Sequence, residues 1–179
     1  MIQTTAASAA EERNCDMGFV FDLDMDRCSA CGACAVACMD QNDIDTQRCE
    51  APFRVVRDLE SPEGVCTYIS LACMHCTDAP CVDACPCGCL RKDEATGFTL
   101  FDTTTCIGCH SCAMACPFGA PSFSAQGKMQ KCDGCHVRVE LGLEPACVRN
   151  CPTGALKLIP EEEYKAARVG RSLQRRLGL

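Results

Sequence analysis

The chain has 179 residues, of which 21 are cysteine, while Leu, Ile, Val and Phe together make up only about 19%. That apolar share is below what a domain needs to fold by burial alone, so something bound to cysteine has to replace the missing core. A formal charge of -7 excludes a phosphate-binding surface, and with it nucleic acid as a partner.

Residues 1–17 read as an N-terminal tail without the basic cluster and apolar segment of an export signal, and no run of eighteen apolar residues follows. The expectation is a chain that is cytoplasmic by default, exported or membrane-associated only through a partner. In a reducing compartment clustered cysteines are read as metal ligands before disulfides, and an odd count fits poorly with complete pairing. Phe19 to Leu23 has the aromatic and β-branched content of a strand. Cys28, Cys31, Cys34 and Cys38 follow, spaced C-x2-C-x2-C-x3-C, and Ala33, Ala35 and Ala37 favour a short helix ending near the fourth cysteine. Val65 to Leu71 reads as a second strand, leading into the second group, Cys73, Cys76, Cys81 and Cys85. Phe98 to Asp102 reads as a third strand before Cys106, Cys109, Cys112 and Cys116, which repeat the spacing of the first group. The fourth group is Cys132, Cys135, Cys147 and Cys151. Pro86, Pro117 and Pro152 stop any helix after groups two, three and four. At the end, Pro160 with Glu161, Glu162 and Glu163 predicts a helix over 160–179, acids at its positive pole and Arg168 to Arg176 at its negative pole. The order of groups makes the chain a duplicated two-group unit.

Three thiolates in C-x2-C-x2-C sit on one tight loop and hold three corners of an iron–sulfur cubane. In the bacterial run C-x2-C-x2-C-x3-C-P the fourth cysteine ligates the other cluster of a pair. Gly32, Ala33 and Gly108 let backbone N–H groups approach the sulfurs. Zinc is the competing reading, because Cys132, Cys135, Cys147 and Cys151 taken alone suit a tetrahedral four-thiolate site and a redox-silent scaffold. Position in series with groups one and three favours iron and sulfur. Cys15, Cys49, Cys66, Cys87 and Cys89 are surplus and read as small buried or idle thiols, with alternative ligation at Cys87 or Cys89 the other reading. His75, His110 and His136 each neighbour a group cysteine. With no group incomplete, they suit outer hydrogen bonding or solvent exposure rather than iron ligation. No dinucleotide fingerprint or nucleophile motif remains, so the chain reads as a non-catalytic electron conduit.

The run Cys106-Ile107-Gly108-Cys109, Ala115-Cys116-Pro117-Phe118-Gly119-Ala120-Pro121, Lys131-Cys132-Asp133-Gly134-Cys135, Glu144-Pro145-Ala146-Cys147 and Cys151-Pro152-Thr153-Gly154-Ala155-Leu156 resembles the four-cluster electron-transfer subunits of the dimethyl sulfoxide reductase family. The resemblance covers about residues 18–160. It implies an α+β fold of two bacterial-ferredoxin-like dicluster units with short strands and short helices. It also implies four 4Fe-4S clusters with crossed ligation: Cys28, Cys31 and Cys34 with Cys151; Cys132, Cys135 and Cys147 with Cys38; Cys73, Cys76 and Cys81 with Cys116; Cys106, Cys109 and Cys112 with Cys85. Residues 18–60 and 120–159 then form an outer unit around an inner one at 61–119. The implied partner is a large molybdenum or tungsten pterin catalytic subunit, with a membrane anchor or soluble carrier at the other end. A tungsten aldehyde oxidoreductase is the alternative partner. Two departures stand out: Cys87 and Cys89 stand where relatives usually carry Thr and a small residue, and the region between groups one and two is short; Met39 also stands where the bacterial run has proline.

Overall fold

The computed structural model describes residues 18–48 and 50–168. The tail at 1–17 with Cys15, the surplus Cys49 and the last part of the expected terminal helix, 169–179, lie outside the described residues. In chain order the elements are β1 (Phe19–Leu23), α1 (Ala33–Gln41), a 3-10 turn (Thr46–Arg48), β2 (Val55–Glu60), β3 (Cys66–Leu71), α2 (Pro80–Asp83), β4 (Leu90–Lys92), β5 (Thr99–Phe101), α3 (Ser111–Ala115), β6 (Ser122–Phe123), β7 (Met129–Gln130), α4 (His136–Glu140), α5 (Ala146–Arg149) and β8 (Leu156–Pro160). A further helix, α6, occupies 161–168.

The strands form four antiparallel two-stranded ribbons: β1 with β8, β2 with β3, β4 with β5, and β6 with β7. Three are local hairpins. The fourth closes the chain on itself, Phe19 facing Pro160 and Leu23 facing Leu156, so the strand before group one and the strand after group four are one ribbon. The helices pair in the same sense, α1 against α5 and α2 against α3. The fold is mixed, of short strands and short helices around cysteine loops.

Proline and its neighbours set the helix ends. α3 stops at Ala115 because Cys116, the residue before Pro117, is extended at φ -82°, ψ 115°. Met39 in place of proline lets α1 run past Cys38 to Gln41. Pro160 belongs to β8 rather than to the terminal helix, which begins one residue later. A proline is tolerated there because it ends an edge strand of a two-stranded ribbon.

Phe98 has no exposed surface. Its ring lies 5.9 Å from Phe21, 6.4 Å from Phe19 and 4.8 Å from His75, tying β1 to the β4–β5 ribbon. Gly134, between Cys132 and Cys135, sits at φ +78° against that ring, where a Cβ would come within 2.6 Å of it. Only glycine satisfies both the left-handed backbone and the close approach.

Candidate metal centres

All nineteen described cysteines are free thiols. Cys28, Cys31 and Cys34 line one cavity with Cys151, walled by Leu23, Val56, Ser70 and Leu156. Cys38, carried by α1, lies in the charge field of Cys147 and Cys135, and Cys132 in that of Cys38. Cys81 is close to Cys73 and Cys116. Cys112 senses Cys106 and Cys109, and Cys109 senses Cys85. Cys76 packs against the buried cluster that contains Cys81, Cys106 and Cys112. Each triplet therefore stands near the last cysteine of a different group.

The groups are ordered in space as one, four, two, three. Cys34 and Cys147 interact across the first step, Cys73 and Cys132 share a buried cluster at the second, and Cys81 and Cys106 share another at the third. Cys31 and Cys109, in the two terminal groups, are exposed, although Cys106 and Cys112 of group three are buried, as are Cys38, Cys73, Cys81, Cys132 and Cys147 along the middle.

Burial sets the sulfur chemistry. It pushes the Cys38 thiol up to about 12, with the nearby Cys147 sulfur adding to the effect. Burial likewise raises Cys132, Cys147, Cys135, Cys112 and Cys81. Thiols held together this way become thiolates only against positive charge, which bound metal supplies. Backbone N–H groups already aim at the sulfurs. Those of Gly108 and Met129 donate to Cys106 Sγ, both at 3.4 Å, that of Gly134 to Cys132 Sγ at 3.4 Å and that of Ala120 to Cys116 Sγ at 3.5 Å.

Three cations accompany them. Arg54 is 2% exposed and Lys131 1%; Lys92 is half-buried. Arg54 Nη1 donates to Ser70 Oγ at 3.0 Å, its guanidinium lies 5.8 Å from the Phe21 ring centre, and its charge offsets part of the rise that burial imposes on the Cys147 thiol. Lys131 donates to the carbonyls of Thr99 and Cys132, and Lys92 to those of His75, Cys76 and Gly97. These partners are neutral, and a buried cation is stable only beside an anion. Arg54 Nε and His75 Nε2 are buried without a partner. Because the Thr99 N–H donates to His75 Nδ1 at 3.0 Å, the ring proton sits on Nε2 and needs an acceptor. Burial, then the charges of Lys131, Lys92 and Arg54, hold His75 well below its usual range, so the ring is neutral. Grouped thiols, orphaned donors and buried cations fit iron–sulfur clusters, whose thiolate and sulfide charge answers all three.

The other two histidines have partners of their own. His110 is exposed and stacks on Phe123 at 3.7 Å. His136 Nε2 lies 3.4 Å from Asp93 and Nδ1 3.5 Å from Glu140. Arg54, Lys92 and the role of Lys131 escape a reading based on cysteine spacing, since long cations are ordinarily solvated and carry no local mark of burial.

Residues 65–160 match the family model described as 4Fe-4S dicluster domain. The chain is 41% identical over 157 residues to the probable anaerobic dimethyl sulfoxide reductase subunit YnfG of Escherichia coli K12, covering 81% of this chain and 75% of that one. It is 40% identical to a subunit of the anaerobic dimethyl sulfoxide reductase of the same strain, over the same shares. With the thiosulfate reductase electron transfer subunit PhsB of Salmonella typhi the identity is 39%, over 78% of this chain and 74% of that one. The chain belongs to the 4Fe-4S dicluster family of ferredoxin-like iron–sulfur proteins, within the electron-transfer subunits of dimethyl sulfoxide reductase-type oxidoreductases. Iron and sulfur, not zinc, are the chemistry of its cysteines. No described helix is long and apolar enough to cross a membrane.

Proposed function

We propose that this chain holds four 4Fe-4S clusters and relays single electrons between a molybdenum or tungsten pterin catalytic subunit and a second redox partner, a membrane anchor or a soluble carrier. The ligand sets are those implied by the resemblance, each triplet completed from a distant group: Cys151 for group one, Cys38 for group four, Cys116 for group two and Cys85 for group three. Bound clusters supply one-electron exchange. The protein's own part is to fix their spacing, exclude water from the middle pair and leave a terminal group accessible at each end.

The observation that carries this reading is the meeting of Cys28, Cys31 and Cys34 with Cys151 around one cavity, although 117 residues separate Cys34 from Cys151 in the sequence. The same pattern of neighbours at the other three groups supports it. The β1–β8 ribbon with the α1–α5 pair is then an outer ferredoxin-like unit, made from 18–60 and 120–159. The β4–β5 ribbon with α2 and α3 is an inner one at 61–119. Two redox contacts are needed because the chain contains no second cofactor motif at either end of the row. The likeness to dimethyl sulfoxide and thiosulfate reductase subunits favours the pterin partner over a tungsten aldehyde enzyme.

Anaerobic isolation of the native complex tests the reading. Molybdenum or tungsten should co-purify, and the isolated chain should accept electrons from dithionite yet reduce no sulfoxide or thiosulfate, activity appearing only in the complex. A complex containing neither metal overturns the partner assignment.

A further inference from the structure

The turn after α2 carries more thiols than one cluster needs. In Cys85-Pro86-Cys87-Gly88-Cys89 the Cys85 and Cys89 sulfurs lie 3.4 Å apart and those of Cys85 and Cys87 3.7 Å apart. All three fall within 4.8 Å of one another. The geometry is fixed at both ends. The Gly88 N–H donates to the Cys85 carbonyl at 3.3 Å, and the Asp102 N–H donates to the Cys89 carbonyl at 2.8 Å, which locks Cys89 to the start of the β4–β5 ribbon. Gly88 adopts φ +63° to make the turn. Cys89 is 3% exposed and packs in one buried cluster with Cys81, Cys106 and Cys112, while Cys87 sits half-buried at its edge.

Sulfurs in contact do not serve separate irons; they compete for one. With a metal–thiolate bond of about 2.3 Å, two sulfurs this close reach the same corner after one χ1 step, which moves a cysteine sulfur by roughly 3 Å. Cys89 is the better placed competitor, being closer to Cys85 and deeper in the wall that Cys106 and Cys112 share.

We propose that the cluster held by Cys106, Cys109 and Cys112 draws its fourth thiolate from an exchangeable pair, Cys85 and Cys89. This rests on the reading of group three as a cluster site. In the exchange the Cys85 thiolate leaves its iron and takes the proton of the Cys89 thiol, and Cys89 binds as the thiolate. One iron–sulfur bond breaks, one forms, the proton stays within the pair, and no electron moves.

The test uses the full chain purified anaerobically as Cys85→Ala, Cys89→Ala, the double variant and Cys106→Ala, with Cys87→Ala as control for damage to the turn. Iron and sulfide per chain and the EPR spectrum of the oxidised protein are the readouts. Either single change in the pair should keep the full iron content with no 3Fe-4S signal, Cys85→Ala shifting the reduction potential of one cluster. The double variant should gain a 3Fe-4S signal of about one spin per chain, or lose one cluster. A 3Fe-4S signal from Cys85→Ala alone overturns the exchange, as does a double variant with its full complement. Cys106→Ala separates the two readings: unchanged iron there removes the cluster from group three altogether, whereas cluster loss there with an intact double variant overturns the exchange alone.

Discussion

Arg54 concentrates the electrostatics of this protein in one residue. A guanidinium at 2% exposure, bonded only to Ser70 among the described residues, costs several kcal/mol unless negative charge stands close by. It also lowers Cys38 and Cys132 from the levels that burial would impose. Its natural counter-charge is thus the proposed centre at Cys38, Cys132, Cys135 and Cys147. A unit charge about 8 Å from a redox centre, at an effective dielectric near 20, is worth about 2 kcal/mol, or roughly 90 mV for one electron. Arg54→Gln should therefore make the reduction potential of that centre more negative by about that amount and leave those of the other centres in place. Arg54→Lys should recover most of the shift. An EPR-monitored redox titration reads this directly, and an unchanged set of potentials refutes the role.

At the scale of elements, α1 is the piece with the clearest division of labour. It enters from Gly32 at φ +75°, just after Cys31, carries Cys34 in its first turn, and delivers its only buried residue, Cys38, towards Cys135 and Cys147 beside α5. Cys38→Ser should therefore damage the centre of group four, 94 residues further on at Cys132, and leave the one at Cys28, Cys31 and Cys34 largely intact. Metal content and the EPR spectrum of the reduced variant distinguish this from the opposite pattern, loss of the group-one signal alone, which would mean that each group closes on itself. How much of this was legible in the sequence varies by element. β1 forms over the expected residues because Phe19-Val20-Phe21 is dense in strand formers, and β3 and β5 lie within the expected segments. β4 and β7, three and two residues long, are too short to carry an alternating pattern, and they exist because the ribbon partner supplies the register. In β8 the alternation of Leu156, Leu158 and Pro160 was hidden by the proline, which reads as a helix start until β1 is seen beside it. The thiol loops were legible from spacing alone, since covalent reach fixes them. The buried Arg54 was not, because its burial depends on groups that no local pattern reveals.

For the whole molecule, the core is what its composition foretells. Among the described residues, eight of the seventeen buried apolar side chains are cysteines, and only Leu90, Phe98, Leu100, Met129 and Leu156 are larger than alanine or cysteine. Five such side chains hold four separate ribbons and six short helices against the conformational entropy of some 150 ordered residues, a cost of about 1–2 kcal/mol each for the backbone alone. The ribbons help little, because a two-stranded hairpin is marginal by itself. On the proposed ligation, long-range order rests instead on the crossings between cysteine groups, where bound clusters tie residues far apart in sequence and neutralise the charge of Arg54, Lys92 and Lys131 in the same act. Stripping the iron with acid or with a chelator under oxidising conditions should remove far more than colour. The apo-chain is expected to lose most of its far-ultraviolet ellipticity and its cooperative thermal transition, and anaerobic reconstitution with iron and sulfide should restore both. If the stripped chain instead melts cooperatively within a few degrees of the loaded protein, the small apolar core suffices and the buried cations must find their counter-charge elsewhere.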